Sequence, residues 1–179
     1  MLIVLDPGHG GKDPGAVGTV VKEKDANLSV ARVVKGQLAA LGHNVLMTRN
    51  EDIFLTPEQR TTMANKTDAA LFVSIHCNAS INKAAAGIET LYGPKDANSF
   101  VAGFLIQREL MGRVKQYGML DRGVKLRKDV WVVNHTRMPS VLVECGFVSN
   151  IGDESLLAAA AYRRAVGEAI TSGIVHYLK

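Results

Sequence analysis

Two cysteines, five prolines and one tryptophan are all that 179 residues contain of these types. Two cysteines do not make a disulfide framework, so a packed core must hold the fold. No apolar run approaches the roughly 18 residues a membrane helix needs, which excludes membrane insertion by a helix. The N terminus has no basic segment before an apolar one and no cleavage site. The first residues read as a strand, and no signal peptide is expected there. Internal repeats, low-complexity stretches and linkers are also missing, so residues 1–179 read as one domain. Neither sign of charge dominates: the net charge is +4, a weak pull toward an anionic partner such as nucleic acid or a bacterial wall. The positive charges are scattered, and the one cluster, Arg122 to Lys128, reads first as a solvated edge, with Arg122 its candidate for a substrate contact. With 47% hydrophobic and 21% charged residues, the composition is that of a soluble globular protein.

Strand-like and helix-like segments alternate. Short β-branched-rich stretches at 1–6, 44–48, 70–76, 87–92, 129–134 and 140–145 predict six strands. A first helix is expected from Asp25 or Asn27 to Leu41, with Ala31, Val34, Leu38 and Leu41 on one face and Gly42 as its left-handed cap. Thr56-Pro57-Glu58-Gln59 opens a short helix through a capping box. A third helix is expected over 97–117 and a last one from Asp153 to Tyr177, where Gly167 and Gly173 permit close packing. This alternation predicts a three-layer α/β sandwich with a mixed, mostly parallel sheet of about six strands.

In such sheets, functional groups collect beyond the carboxyl ends of the strands. His9 follows the first strand within Asp6-Pro7-Gly8-His9-Gly10-Gly11, His76 ends Leu71-Phe72-Val73-Ser74-Ile75, and Glu144 ends Val141-Leu142-Val143. Glu23 lies where a long Gly-rich loop meets the first helix. Two histidines and a carboxylate suit zinc and leave it an open position, and a further glutamate can take a proton from water. Each residue alone has a plainer reading: a turn histidine, a helix-dipole carboxylate, a buried histidine, a glutamate paired with an arginine. Four on one rim favour a metallohydrolase.

The Gly-rich loop is not a nucleotide site. It lacks the third glycine of a dinucleotide fingerprint, and Lys12 is followed by Asp13 rather than Ser or Thr. Cys77 and Cys145 each follow a site residue, so strand alternation turns both into the core. Asp6 and Asn78 are expected to orient the ligands, and Glu89 is a second polar group near the rim. His135 is expected to line the cleft from a strand end, while His176 is structural. Arg49 and Arg60 read as loop anchors.

At these motifs the chain resembles the catalytic domain of the zinc-dependent N-acetylmuramoyl-L-alanine amidases, bacterial autolysins and phage endolysins. The motifs are LDPGHGGKDPGAVG, EKDANL, VLMTRNED, QRTTMAN, LFVSIHCNAS, GIETLYG and MPSVLVECGFVSN, in order along nearly the whole chain. The resemblance implies one zinc on His9, Glu23 and His76, with Glu144 catalytic. It also implies cleavage of the amide between the lactyl group of N-acetylmuramic acid and L-alanine in peptidoglycan. It further implies a domain cut from a longer secreted cell-wall hydrolase. A monomer that does not bind nucleic acid is expected. No helical segment is left over to plug the cleft, so no activator protein is expected. Two rivals remain. One is a zinc exopeptidase, with Arg122 or Arg127 holding a peptide terminus; the other is a non-catalytic peptidoglycan-binding module.

Overall fold

Residues 1–179 are described by a computed structural model. Six strands form one sheet: β1 Leu2–Pro7, β2 Asn44–Met47, β3 Leu71–Asn78, β4 Ile88–Tyr92, β5 Asp121–Leu126 and β6 Ser140–Phe147. Their order is β2-β1-β3-β6-β4-β5. The first four in that order run parallel, β4 is antiparallel to β6, and β5 is parallel to β4. The chain steps from β1 out to β2 and then back across β1 to β3. That reversal opens a crevice beyond the strand ends.

The helices are α1 Glu23–Ala40, α2 Pro57–Asn65, α3 Ala97–Val114, α4 Trp131–His135, α5 Ile151–Ala158 and α6 Ala160–Tyr177. One face of the sheet carries a core of 30 buried hydrophobic residues, reached by α1, α3 and α6. The other carries only nine, beneath the short helices α2 and α4. The three-layer α/β expectation therefore holds, but with layers of unequal depth.

Strand alternation converts that asymmetry into a site. Val4, Phe72, Leu142 and Leu91 point into the thin layer. Two residues on from the first and third, four on from the second and two back from the last, on the same face, stand Asp6, Glu144, His76 and Glu89. Because β4 runs antiparallel, its early residue Glu89 comes to the rim where β1, β3 and β6 end; its register partner is Glu144. His76 pairs with Glu144 as well, and the β3–β6 register then slips before Asn78, an irregularity at the rim itself.

Four expectations change. The stretch 129–134 is not a strand: residues 131–135 form the helical turn α4. Its valines favour a strand locally, but Asn134 Nδ2 donates to the Val130 and Arg127 carbonyls and Val132 and Val133 are buried, and tertiary context overrides propensity. The sixth strand is instead β5, inside the basic cluster, with charges that suit an edge strand. Helix α1 starts at Glu23, two residues early, because Glu23 N and Lys24 N donate to the Ala16 and Pro14 carbonyls. Loop carbonyls thus take the place of a side-chain cap, which no local motif announces. The last helix is two helices, broken at Ala159, with Arg163 Nη1 donating to the Leu157 and Ala158 carbonyls. Elsewhere the capping box at Thr56 and Gln59 is present. A Cβ at Gly173 would sit 2.5 Å from Ile106 Cα, so the close packing expected there is real.

Candidate active site

The loop after β1 brings His9 to the rim in a left-handed backbone conformation, φ 61°, the only non-glycine residue with positive φ. Such a conformation costs energy and persists only where the surroundings impose it. Here Arg60 donates to the His9, Pro7 and Asp6 oxygens at 2.8 Å each. Arg49 donates to the Pro7, Gly8 and Lys24 carbonyls. The two arginines clamp the loop, as their reading as anchors required.

Three donor groups converge there. Glu23 Oε1 lies 3.2 Å from His9 Nε2 and 2.9 Å from His76 Nδ1, and the ligand atoms of His9, Glu23 and His76 lie within 4.8 Å of one another. Two glycines make this approach possible. A Cβ at Gly8 would fall 2.2 Å from the His76 ring; one at Gly15 would fall 2.6 Å from Glu23 Oε2 and 2.7 Å from the His9 ring. Glu23 is buried, its Oε1 accepting from Cys77 N and Asn27 Nδ2 and its Oε2 from Ala16 N. Burial opposes its ionisation, but the histidines hold its carboxyl well below the ordinary range. Burial likewise depresses His9, and Glu23 and Asp13 more than reverse it, raising the imidazole to about 9. The carboxylate draws a proton onto a facing imidazole, and a cation held by the same three groups would take that proton's place. A small divalent cation suits these N and O donors, and the donor set fits zinc.

Glu144 stands beside this cluster. Its Oε2 is shut off from solvent and has no hydrogen-bond partner. Burial raises its carboxyl to about 7, His76 opposing and Glu23 and Glu89 adding to the rise. An unsatisfied buried oxygen in a folded protein calls for an explanation, and a catalytic role is one.

The other expected residues are at the rim but do different things. Asp6 is fully buried and bound by Arg60, Thr48 Oγ1 and Ser74 Oγ, so it holds the clamp rather than a histidine. Asn78 donates to Glu89 Oε1 and hydrogen-bonds neither histidine. Glu89 is buried and held by Arg122 Nε at 2.7 Å and Lys125 Nζ at 2.6 Å. Arg122 also lies over the Phe147 ring. His135 sits on α4, exposed, its ring stacked 3.6 Å from that of Trp131, so it does not line the cleft from a strand end. Cys77 and Cys145 are buried and free. Two residues went unread in the sequence: Asp13, whose Oδ2 lies 2.8 Å from His9 Nδ1, and Asn27, which ties Glu23 to the Gly8 carbonyl. The two arginines of the exopeptidase rival are both paired, Arg122 with Glu89 and Arg127 with Asp129.

A three-layer α/β domain carrying a His/Glu/His cluster and a glutamate with one solvent-shielded oxygen at its strand ends has the build of a metal-dependent hydrolase. Residues 3–176 match the sequence model of the N-acetylmuramoyl-L-alanine amidases, and the chain belongs to that family, whose members hydrolyse the N-acetylmuramic acid–L-alanine amide of peptidoglycan. It is 38% identical over 179 residues to the amidase LytC of Bacillus subtilis, covering 99% of this chain but 35% of LytC. The crystal structure of an N-acetylmuramoyl-L-alanine amidase from Clostridium difficile 630 superposes with a TM-score of 0.93 at 32% identity, covering 99% of this chain and 96% of that one. The CwlD amidase of Clostridioides difficile, solved in complex with the GerS lipoprotein, gives 0.93 at 33% identity, covering 99% and 98%.

Proposed function

We propose that this chain is the catalytic domain of a longer secreted hydrolase that opens the lactyl–L-alanine amide of peptidoglycan with one zinc per chain. His9, Glu23 and His76 would hold the ion and Glu144 would move the proton. The observation that supports this reading is that His76 of the donor cluster and Glu144 are neighbours in the β3–β6 register, and that Glu144 Oε2 has no hydrogen-bond partner.

Zinc in that cluster would supply Lewis-acid polarisation of the amide carbonyl and acidify the attacking water. The protein does the rest. Asp13 orients the His9 ring from its far nitrogen, and Arg49 and Arg60 fix the backbone that carries it. Glu144 takes the water's proton and delivers it to the departing L-alanine nitrogen, so that a free amine leaves. The anionic, peptide-bearing polymer meets a rim whose cations, Arg122 and Lys125, stand on the β5 side.

Extracellular action at the wall is supported by the relatives' activity on peptidoglycan, and no helix is long and apolar enough to cross a membrane. All four groups come from one chain, which supports action as a monomer. No activator protein is required in this reading, because everything between His76 and Glu144 belongs to β4, α3, β5, α4 and their turns. The deciding experiment is incubation with purified peptidoglycan, with and without chelator, followed by analysis of the new ends. New N-terminal L-alanine without new reducing sugar supports the amidase reading; new sugar ends, or cleavage indifferent to chelation, would defeat it.

A further inference from the structure

Beside the donor cluster lies a cavity of about 210 Å³ that the chemistry above does not use. One wall comes from the entry to α2, with Phe54 and Leu55 ahead of it and Pro57 at its start; the other comes from Val130 and α4, with Trp131; His9 and His76 also line the cavity. It is smaller than the roughly 300 Å³ at which pockets for drug-sized ligands begin, so it suits one ring rather than a peptide.

Its charges are already occupied. Arg60 lines it but donates to Asp6, Pro7 and His9. Asp13 lines it and binds His9 and Gly15 N. None of the charged side chains lining the cavity is unpaired, and Lys12 stands outside it over the Phe54 ring. Across the rim Arg122 and Lys125 share the single carboxylate of Glu89, which leaves one net positive charge on that side. The two aromatic side chains are presented rather than packed away, Trp131 at 41% and Phe54 at 38% exposure. Each is braced. The His135 ring lies nearly parallel to the indole, at 7°, and Lys12 Nζ sits 4.7 Å from the Phe54 centroid. Braced aromatic rings offer contact area at low cost in lost rotamer freedom, and their faces accept the C–H face of a pyranose.

We propose that Trp131 and Phe54 form a subsite for the uncharged N-acetyl sugar ring on the acyl side of the scissile amide, leaving the anionic stem peptide to the Arg122–Lys125 side. This assignment rests on the amidase reading and adds an orientation of the substrate to it. His135 enters it only as the support that fixes the indole.

Trp131 is the sole tryptophan, so its emission reports the subsite without any turnover. Titrating the metal-loaded protein with the disaccharide N-acetylglucosaminyl–N-acetylmuramic acid, its lactyl carboxyl capped as the dimethylamide so that no carboxylate reaches the metal, should change that emission saturably, while a free stem tripeptide should not. The reverse pattern, or no response to the disaccharide, overturns the proposal. Turnover supplies a second readout, comparing disaccharide-tripeptide with the same tripeptide carrying only a lactyl group. The wild-type preference for the sugar-bearing substrate should fall about tenfold in Trp131→Ala, through KM, and be largely kept in Trp131→Phe. An equal loss on both substrates would make Trp131 structural and sink the subsite. If the wild type cleaves neither substrate yet still answers the disaccharide, the amidase reading fails and the sugar site stands. If it cleaves both without preference, the subsite fails and the amidase reading stands.

Discussion

Glu23 Oε1 faces a nitrogen of each histidine, and Glu144 Oε2 faces no donor at all. In the proposed function those two oxygens would separate the tasks of holding a cation and moving a proton. Glu144→Gln keeps the shape of the side chain and removes its basicity. It should retain fold and zinc while turnover on cell walls falls by about 10²–10⁴, the usual worth of a general base; near-normal turnover would transfer the role to another group. Asp13→Ala acts from one step further out. It deprives His9 Nδ1 of its partner, and zinc affinity should fall about 10- to 100-fold, measured by competition with a chromophoric chelator. The two variants separate the functions only if the first binds zinc normally and the second does not. Of these residues, His9, Glu23, His76 and Glu144 were legible because each sits where a recognisable strand or loop ends. Asp13 was not. Its distance to His9 depends on the path of a loop with a left-handed histidine in it, and nothing in Lys12-Asp13-Pro14 reports that path.

The elements differ in the same way, by how local their causes are. Helix α2 was readable because its capping box lies within four residues. Strands β3 and β6 were readable from their continuous apolar runs. The start of α1, the break at Ala159 and the helicity of α4 all depend on partners far along the chain, so propensity alone misplaced them. The loop that delivers Glu23 shows this most clearly. Glu154, from α5, accepts hydrogen bonds from Val20 N at 2.7 Å and Val21 N at 3.1 Å, fixing the chain just before α1. These amides, Val20 first, hold the Glu154 carboxyl below its ordinary value of 4.5. A carboxylate favoured in the folded state contributes stability above that ordinary value and loses it as pH falls through the folded one. Glu154→Gln should therefore lower stability by about 1 kcal/mol at neutral pH, the scale of one hydrogen bond, and by progressively less in acid. Urea unfolding at neutral and acid pH reads the difference, and a gap that stays constant would show that charge plays no part.

At the scale of the whole molecule, the unequal layers decide how a polymer reaches the rim. The deep layer under α1, α3 and α6 holds most of the buried apolar core and carries the stability. The thin layer under α2 and α4 leaves His9 and His76 with 25% and 20% of their side-chain surface open. A glycan strand with its peptides cannot thread into a closed pocket, but it can lie across such a rim. A regulated relative would need a segment to cover that opening. Here the chain between His76 and Glu144 is taken up by a largely exposed loop at 79–86 and then by strand, helix, edge strand and helical turn, and the two histidines stay partly open beside them. The isolated domain should therefore digest purified walls without any added protein. It should stop when treated with a strong chelator and recover on addition of zinc, because removing a cation held by three side chains leaves the layered core intact. Circular dichroism before and after chelation should show the fold retained. Digestion that began only after a partner protein was added would mean that the rim is not competent as it stands. Loss of the fold on chelation would mean that the ion is part of the core's stability as well as of the chemistry.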